Sequence, residues 1–185
     1  YLDAASIGSK NRFLDGRLQV NGELFWWKYK DQQINYFTLS PQGTLVSSTQ
    51  NVGKSTSKGF DIDVVYAATR NTRLTARYNY LNATYDDLVF RTAAPRDNFG
   101  CPFTLPGGTA GGAPLKDFNC SGKPAVYSPK YTVNAGVDQT FTLGTYDLVA
   151  SVYTTWRGEQ WSSIEYVSHE LIPSYSTTDA TLTLR

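Results

Sequence analysis

The feature that most constrains the fold of this chain is a strict alternation of apolar and polar residues over 58–67. In that stretch the apolar residues Phe60 and Ile62 alternate with the acidic residues Asp61 and Asp63. Successive side chains of a β-strand point to opposite faces of a sheet, so the apolar and acidic sets lie on opposite sides. A period of two therefore predicts a strand here and argues against a helix.

The same alternation returns along the whole chain and predicts about seven strands. By residue number, the predicted strands are 2–10, 17–33, 58–67, 73–85, 131–141, 146–157 and 178–184. The intervening stretches 36–50 and 89–129, and the one through His169 and Pro173, are rich in turn-forming residues and are predicted to be loops.

The predicted connections alternate between short and long. Short turns are predicted near Asn11, Asn71 and Gly144, and long connections near Ser40, Gly108 and Glu170. In an up-and-down sheet this order places every short turn at one end and every long loop at the other. Outer-membrane barrels sort their connections in this way, and their tilted strands need roughly 9 to 11 residues to cross the bilayer. A soluble β-sandwich is the alternative fold.

Composition supports the membrane interpretation. Aromatic residues make up 14% of the chain, which suits strands with an apolar face and aromatic rims. No apolar run approaches the roughly 18 residues of a membrane-spanning helix. The formal net charge of +1 gives no reason to expect a nucleic-acid partner. The chain starts at Tyr1 without an initiator Met or a signal segment, so we expect a processed chain or an interior piece of a longer one.

We therefore predict an all-β, antiparallel, up-and-down transmembrane β-barrel whose apolar strand faces meet lipid. A charge on the lipid face near the middle of the membrane costs about 2–4 kcal/mol for Arg or Lys, so the charged strand residues are expected to face the lumen. They are Asp61, Asp63, Arg73, Arg77, Asp138, Asp147, Arg157 and Asp179. A cation site at Asp61 and Asp63 is the alternative, but no further ligand supports it, and a polar inner wall explains the carboxylates.

About seven strands cannot form a closed barrel. The two open edges would leave backbone groups unpaired in hydrocarbon, at a cost of several kcal/mol for each group. Single-chain bacterial barrels also have even strand numbers. The chain is therefore expected to be an arc of a larger barrel.

Five stretches resemble the C-terminal part of the barrel of TonB-dependent outer-membrane receptors. They are FLDGRL at 13–18, YKDQQ at 29–33, NVGK at 51–54, KGFDID at 58–63 and SPKYTVNAGVD at 128–138. Their order and their placement against strands and turns carry the resemblance, which extends over 1–185 as a single partial barrel domain.

This resemblance implies a barrel of about 22 strands with a plugged lumen, embedded in outer-membrane lipid. It implies import of a scarce nutrient, often an iron–siderophore complex and sometimes haem, cobalamin or a saccharide. Energy would come through TonB with its partners ExbB and ExbD. A plug domain, a TonB box and the closing strand are not found within 1–185, so the resemblance assigns no TonB-contact residue. A passive porin or secretion pore and a structural or adhesive barrel are the alternative functions.

The two cysteines, Cys101 and Cys120, lie in the longest predicted loop. An extracellular loop is in an oxidising environment, so a disulfide is expected. A metal site is the alternative, but it would need more ligands, and the only histidine, His169, lies in another loop. No metal or cofactor is therefore predicted.

Catalysis is not expected from this sequence. Ser168, His169 and Glu170 are adjacent in one loop, whereas a catalytic triad needs separate groups held within mutual reach. Contacts to an aromatic or anionic chelate are expected instead from aromatic and cationic residues of the loops and the upper lumen. The candidates are Tyr36, Phe37, Arg91, Arg96, Phe99, Phe103, Tyr127, Trp161 and Tyr166. The alternative to ligand contact, for most of these residues, is packing within the loops or a place in the aromatic belt at the membrane interface.

Overall fold

A computed structural model describes residues 1–51, 53–93 and 99–185. The strands in chain order are β1 (Leu2–Phe13), β2 (Leu18–Lys30), β3 (Gln33–Leu39), β4 (Leu45–Asn51), β5 (Lys54–Ala67), β6 (Thr72–Asp87), β7 (Val89–Thr92), β8 (Phe103–Thr104), β9 (Thr109–Ala110), β10 (Ala113–Pro114), β11 (Lys116–Asn119), β12 (Tyr131–Leu143), β13 (Tyr146–Arg157), β14 (Gln160–Trp161), β15 (Leu171–Ile172) and β16 (Tyr175–Leu184). One turn of 3₁₀-helix covers Ser168–Glu170. No helix among these residues is long and apolar enough to cross a bilayer.

The seven long strands form one sheet in the order β1-β2-β5-β6-β12-β13-β16, and each neighbouring pair is antiparallel. This order confirms the predicted arc of about seven up-and-down strands. The tight turns and the long connections alternate as predicted, so the tight turns share one end of the sheet and the long connections share the other. We call this sheet the wall.

The prediction of a loop over 36–50 was wrong, because these residues belong to the hairpin of β3 and β4. The predicted strand over 17–33 is interrupted after Lys30, where Asp31 adopts a positive φ of 56° and turns the chain. Ser and Thr dominate β4 and suggested a loop, yet Thr is β-branched and fits a strand well. The alternation that marks a strand is present in β3, where Ile34 and Tyr36 are buried between exposed neighbours.

The register of the wall separates the residues into two faces. Asn21 pairs with Asp63, Asp63 with Arg77, and Arg77 with Asn134, so one polar row crosses four strands. Followed in the same way, the register places all eight charged residues predicted to face the lumen on this one side. We call it the polar face. Its assignment to the barrel lumen stays a prediction.

The opposite, apolar face ends in aromatic residues at both ends of the wall. On five successive strands the last apolar residue before the long connections is aromatic: Trp26, Phe60, Tyr80, Tyr131 and Trp156. At the short-turn end the same face carries the aromatic residues Phe13, Tyr66, Phe141 and Tyr146, with Leu143 following Phe141 at the end of β12. Between these rims the apolar side chains are exposed or half-buried, and the most exposed are Ile7 and Leu182 on the edge strands, at 72% each. An apolar band between two aromatic rims is the surface that a transmembrane barrel presents to lipid.

The backbone geometry requires glycine at one position in each of the stretches 51–54 and 58–63. A Cβ on Gly59 would collide with the carbonyl oxygen of Tyr80 and with the ring of Phe25. A Cβ on Gly53, whose φ is +88°, would collide with the carbonyl oxygen of Asp87. The close approach of backbone and aromatic ring at these points therefore requires glycine.

Candidate functional site

The three long connections fold together at one end of the wall. We call residues 31–53, 88–130 and 158–174, as far as the structure describes them, the loop cluster. Its core consists of Ile34, Tyr36, Tyr85, Leu88, Phe90, Cys101, Phe118, Cys120, Ile164 and Tyr166. Apart from Tyr85, which lies at the end of β6, these residues come from all three connections. A single core shared by three connections makes them one packed body rather than three separate loops.

Phe118 lies at the centre of this core and is fully buried. Its ring centroid is 4.6 Å from that of Phe99, 5.4 Å from that of Phe103 and 5.8 Å from that of Phe90. The ring of Tyr36, from the first connection, lies 5.1 Å from that of Phe90. These aromatic contacts join the hairpin of β3 and β4 to the small sheet of β7, β11 and β8.

The disulfide between Cys101 and Cys120 is present, as predicted. Both cysteines are buried, and the backbone N–H of Cys120 donates to the carbonyl oxygen of Leu88 at 2.8 Å. The bond therefore fixes the second connection at the point where it packs on the rest of the core. Within the described residues, no group of three or more His, Cys, Asp and Glu side chains converges as a metal site would require.

Polar contacts also join the connections. The hydroxyl of Thr92 donates to the carbonyl oxygen of Phe37 at 2.9 Å, which links the second connection to the first. The backbone N–H of Gly100 donates to the carbonyl oxygen of Glu165 at 2.8 Å, and that of Tyr127 to the carbonyl oxygen of Trp161 at the same distance. Both of these bonds link the second connection to the third.

Tyr166 supports the cluster from the third connection. It is buried, its hydroxyl donates to the carbonyl oxygen of Pro124 at 2.6 Å, and its ring packs edge-on against Trp161 at 5.3 Å. Burial raises the pKa of the Tyr166 hydroxyl, and the neighbouring Tyr85 raises it further. The hydroxyl is therefore held neutral as a hydrogen-bond donor.

Arg91 and Asp117 form a two-pronged ion pair across β7 and β11, with N–O distances of 2.6 Å and 2.8 Å. The hydrogen bonds from Arg91 hold the pKa of Asp117 below its ordinary value. The same hydrogen bonds raise the pKa of Arg91. Arg91 is exposed, so this pair lies at the surface of the cluster.

The predicted ligand contacts fall into three groups in the structure. Tyr36 and Tyr166 are buried, and Phe99 and Trp161 are partly buried against the core. The exposed candidates are Phe37, Arg91, Phe103 and Tyr127. Arg96 lies outside the described residues.

The short segment that contains the chain's only histidine forms a hydrogen-bonded turn. Ser168, His169 and Glu170 form the single 3₁₀ turn, and the Glu170 carboxylate accepts a hydrogen bond from the backbone N–H of Val167 at 3.0 Å. Glu170 therefore stabilises the turn instead of orienting His169.

Below the loop cluster, the polar face of the wall is lined by cross-strand hydrogen bonds. Arg77 donates to Asp63 at 2.8 Å and Asn79 donates to Asp61 at 2.6 Å. Tyr153 donates to Asp138 at 2.7 Å. Asp61, Asp63 and Asp138 are thus neutralised or hydrogen-bonded by their neighbours, which supports a polar wall and gives no support to a cation site at Asp61 and Asp63.

Open grooves run along the polar face. One of about 470 Å³ is lined by residues that include Lys10, Glu23 and Asp61, and a second of about 360 Å³ lies between Arg73 and Asn134. In the first groove the side-chain oxygen of Asn21 is buried and has no hydrogen-bond partner among the described residues. A polar group that enters this groove could bond to it.

Sequence reasoning missed the residues that organise the loop cluster. Phe90 and Phe118 were not singled out, although each occupies a buried position in a short strand with alternating exposure. Lys116, which is buried with its ammonium group 5.1 Å from the centre of the Phe103 ring, was also missed. Strands of four residues are too short for their alternation to be recognised in a loop rich in Gly and Pro.

The fold and the aromatic rims define the wall of a membrane β-barrel with its long loops at one end. Comparison with known proteins identifies the family: residues 2–185 match the one described as TonB dependent receptor-like, beta-barrel. The chain belongs to this family, which is one of receptors rather than of enzymes, and membership implies the bacterial outer membrane as its location. No curated protein sequence matches the chain.

Two solved structures share the fold. One is the siderophore receptor PiuA from Acinetobacter baumannii, with 18% sequence identity and a TM-score of 0.62. The other is the ferric yersiniabactin uptake receptor FyuA from Yersinia pestis, with 13% identity and a TM-score of 0.60. Each alignment covers 98% of this chain and 22% of the other, so the chain spans about a fifth of the length of either receptor.

Proposed function

We propose that this chain contributes part of the wall and outer loops of a receptor that imports a scarce nutrient, an iron–siderophore complex, across the outer membrane. Transport is driven by TonB with ExbB and ExbD, acting through parts of the receptor outside 1–185. The single observation that carries the proposal is the family match over residues 2–185. One structural neighbour is named as a siderophore receptor and the other as a ferric yersiniabactin uptake receptor, which supports this choice of cargo.

The build of the loop cluster is suited to this role. A receptor for a bulky chelate needs a stable outer surface, and the shared aromatic core and the disulfide provide one. Exposed aromatic and cationic side chains on such a surface match an aromatic or anionic chelate. The grooves of the polar face are where we propose that a plug domain contacts the wall.

Within the cluster, we propose that the exposed candidates contact the cargo and that the buried ones hold them in place. Phe37, Phe103 and Tyr127 expose 56%, 40% and 66% of their surface. The exposed part of each ring can therefore contact a ligand, while the ring of Phe103 also packs against Phe118 in the core. Tyr36 and Tyr166 have their surface occupied by other loop residues and act as scaffold.

Uptake in living cells tests the proposal. Cells that lack the gene should grow more slowly under iron limitation and accumulate less radioactive iron from a panel of catecholate and hydroxamate siderophores. Equal growth and equal uptake with and without the gene would contradict the iron proposal.

The ligand contacts are tested in the complete receptor by changing Phe37, Phe103 and Tyr127 together to Ala. Loss of three aromatic contacts should weaken binding of the transported ferric siderophore by roughly tenfold or more. Leu14→Ala, an exposed apolar change in the turn after β1, is the control and should leave binding unchanged. Unaltered binding in the triple variant would remove these residues from the site.

A further inference from the structure

A small cavity lies where the pairing of β6 is interrupted at the base of the loop cluster. The backbone N–H of Leu81 donates to the carbonyl oxygen of Lys130 at 3.0 Å. Two residues further along β6, the carbonyl oxygen of Ala83 accepts from the backbone N–H of Ala125 at 2.9 Å. The intervening residues 126–129 belong to no strand, so the sheet has a gap between these two bonds. The gap is occupied by a cavity of about 200 Å³.

Several side chains that line the cavity have unused hydrogen-bonding groups. Among the described residues, the side chains of Asn82, Glu159 and Gln160 have no hydrogen-bond or ion-pair partner. The hydroxyl of Ser128 donates to the carbonyl oxygen of Val126 at 3.1 Å and still has lone pairs with which to accept. Asn82 and Gln160 are half-buried, and each amide offers both a donor and an acceptor. These groups suit a ligand that carries several hydroxyls.

The rest of the cavity lining is apolar or balanced in charge. Trp161 and Leu171 line it from the third connection, and the Trp161 ring is held by its edge-on contact with Tyr166 at 5.3 Å. Lys130 and Glu159 also line the cavity without forming an ion pair with each other. Because one positive and one negative charge offset each other, the lining favours a neutral ligand with one apolar face.

The backbone beside the cavity has an unfavourable conformation. Tyr127 has a φ of 53°, in the left-handed region that residues other than glycine rarely adopt. Its backbone N–H donates to the carbonyl oxygen of Trp161 at 2.8 Å, which ties the excursion of 126–129 to the third connection. Such conformations persist where surrounding contacts impose them, and they cluster at ligand-binding sites. The gap in the sheet is therefore maintained by the fold.

We propose that this cavity binds one neutral pyranose ring, either of a free sugar or of a unit in a cell-surface glycan. Its volume is below the roughly 300 Å³ at which pockets for drug-sized ligands begin, so it accommodates a single ring. The C–H face of a pyranose packs on the Trp161 ring and on Leu171. The hydroxyls at its edge bond to the amides of Asn82 and Gln160.

This site is separate from the lumen through which the proposed cargo passes. Asn82 and Thr84 follow Tyr80 at intervals of two residues along β6, so their side chains are on the side of the aromatic rim and not on the polar face. The cavity is therefore reached from outside the proposed barrel. The inference goes beyond import and does not depend on which nutrient is carried.

The test uses the complete receptor in a detergent without a sugar headgroup and measures binding by saturation-transfer difference NMR. The probes are the methyl pyranosides of glucose, galactose, mannose and N-acetylglucosamine, and the oligosaccharide released from the surface glycan of the same cells. Sorbitol, which has similar hydroxyls but no ring, is the control ligand. At least one pyranoside should bind with a Kd on the order of 1 mM, as expected for so small a ligand, and sorbitol should not bind.

A double variant tests the residues. Asn82→Leu with Gln160→Met keeps the size of both side chains and removes their hydrogen-bonding groups, so the affinity for the pyranoside should fall roughly tenfold. Asn35→Leu with Gln33→Met makes the same changes on the exposed face of β3 and should leave pyranoside binding unchanged. Ferric siderophore binding should stay at the wild-type level in both variants, so a failure here is distinct from a failure of the import proposal.

The two sources of the sugar are distinguished by the same titrations. Tighter binding of the released oligosaccharide than of any methyl pyranoside upholds the site and assigns it to a surface glycan, whereas the reverse upholds it and assigns a free sugar. The proposal is overturned if none of these saccharides binds, or if sorbitol binds as well as they do. It is also overturned if the Asn82 and Gln160 variant binds as the wild type does, or if the control variant loses as much affinity.

Discussion

The wall and the loop cluster use apolar residues in opposite ways. In the wall the apolar side chains point outward and stay exposed, as Leu24 does at 58%. In the loop cluster the apolar side chains point inward, and Phe90, Leu88 and Phe118 are almost completely buried. One region presents an exposed apolar face, which we propose is covered by lipid, and the other buries a small core in the manner of a soluble protein.

This difference shows which interactions hold each region together. The wall depends on continuous backbone pairing between long strands and, as we propose, on contact with hydrocarbon, because none of the residues that the structure describes forms a layer on its apolar face. The loop cluster depends on side-chain packing and on one covalent bond. A substitution should therefore damage one region while sparing the other, and each prediction below is designed to separate them.

The largest effect is expected from Phe118→Ala in the complete receptor. Truncation of a fully buried Phe costs about 3–5 kcal/mol, because it removes apolar contact and leaves a cavity. The loop cluster should open, which would appear as faster amide hydrogen exchange over 88–130 and as new protease cleavage. Phe103→Ala, at a ring that is 40% exposed, is the control and should have a smaller effect. Faster exchange in the wall strands as well would show that the two regions are not independent.

A change on the wall is expected to come next in size. Val64→Arg places a charge on the lipid side of β5 and should destabilise the receptor in phospholipid vesicles by about 2–4 kcal/mol, measured by urea unfolding. Val65→Arg is a matched control, since it is the same substitution one residue along, on the polar face. It should cost much less. Equal destabilisation by the two substitutions would contradict the assignment of faces.

Removal of the disulfide is expected to act on the loop cluster alone. Changing Cys101 and Cys120 together to Ser should destabilise the second connection by about 3 kcal/mol in the entropic description of a cross-link of this span. The urea midpoint of the wall should stay unchanged. Because both cysteines are buried and bonded, a thiol reagent should label the native protein only after reduction and unfolding. Ready labelling of the untreated protein would contradict the bond.

The smallest effect is expected from the surface pair of Arg91 and Asp117. Arg91 lowers the pKa of Asp117, so the stabilisation from the pair is complete above the ordinary pKa of an aspartate, near 4, and is lost as the pH falls through the lower folded value. Protease sensitivity of the loop cluster should therefore rise slightly in acid, and Asp117→Asn should remove that change. An acid dependence that persists in the variant would have to come from another group.

The wall could be predicted from the sequence because its signal is local and repeated. Alternation in 58–67 and its six counterparts marks a strand without any knowledge of its neighbours, and the order of short and long connections sets the topology. The ends of the strands were predicted less accurately. The strand predicted over 58–67 begins at Lys54, and the one predicted over 73–85 continues to Asp87. Those extensions run alongside the loop cluster, where Ser and Thr conceal the pattern.

The loop cluster could be predicted only in part. The disulfide followed from the two cysteines and the expected environment. The aromatic core did not, because Tyr36, Phe90, Phe118 and Tyr166 meet through contacts between residues far apart in the chain, and no local pattern signals such contacts. For the same reason, aromatic residues that act as scaffold and those free to touch a ligand could not be separated by sequence alone.

The most direct test of the account measures which side of the wall meets lipid. Both native cysteines are joined in the disulfide, so a single cysteine can be introduced at each position from 61 to 65 and spin-labelled in the complete receptor reconstituted into phospholipid vesicles. Labels at Ile62 and Val64 should collide mainly with oxygen, which concentrates in hydrocarbon. Those at Asp61, Asp63 and Val65 should collide mainly with a water-soluble nickel complex. Uniform exposure to the nickel complex, or the reversed alternation, would contradict the proposal that this chain is an arc of a membrane barrel with its polar face inward.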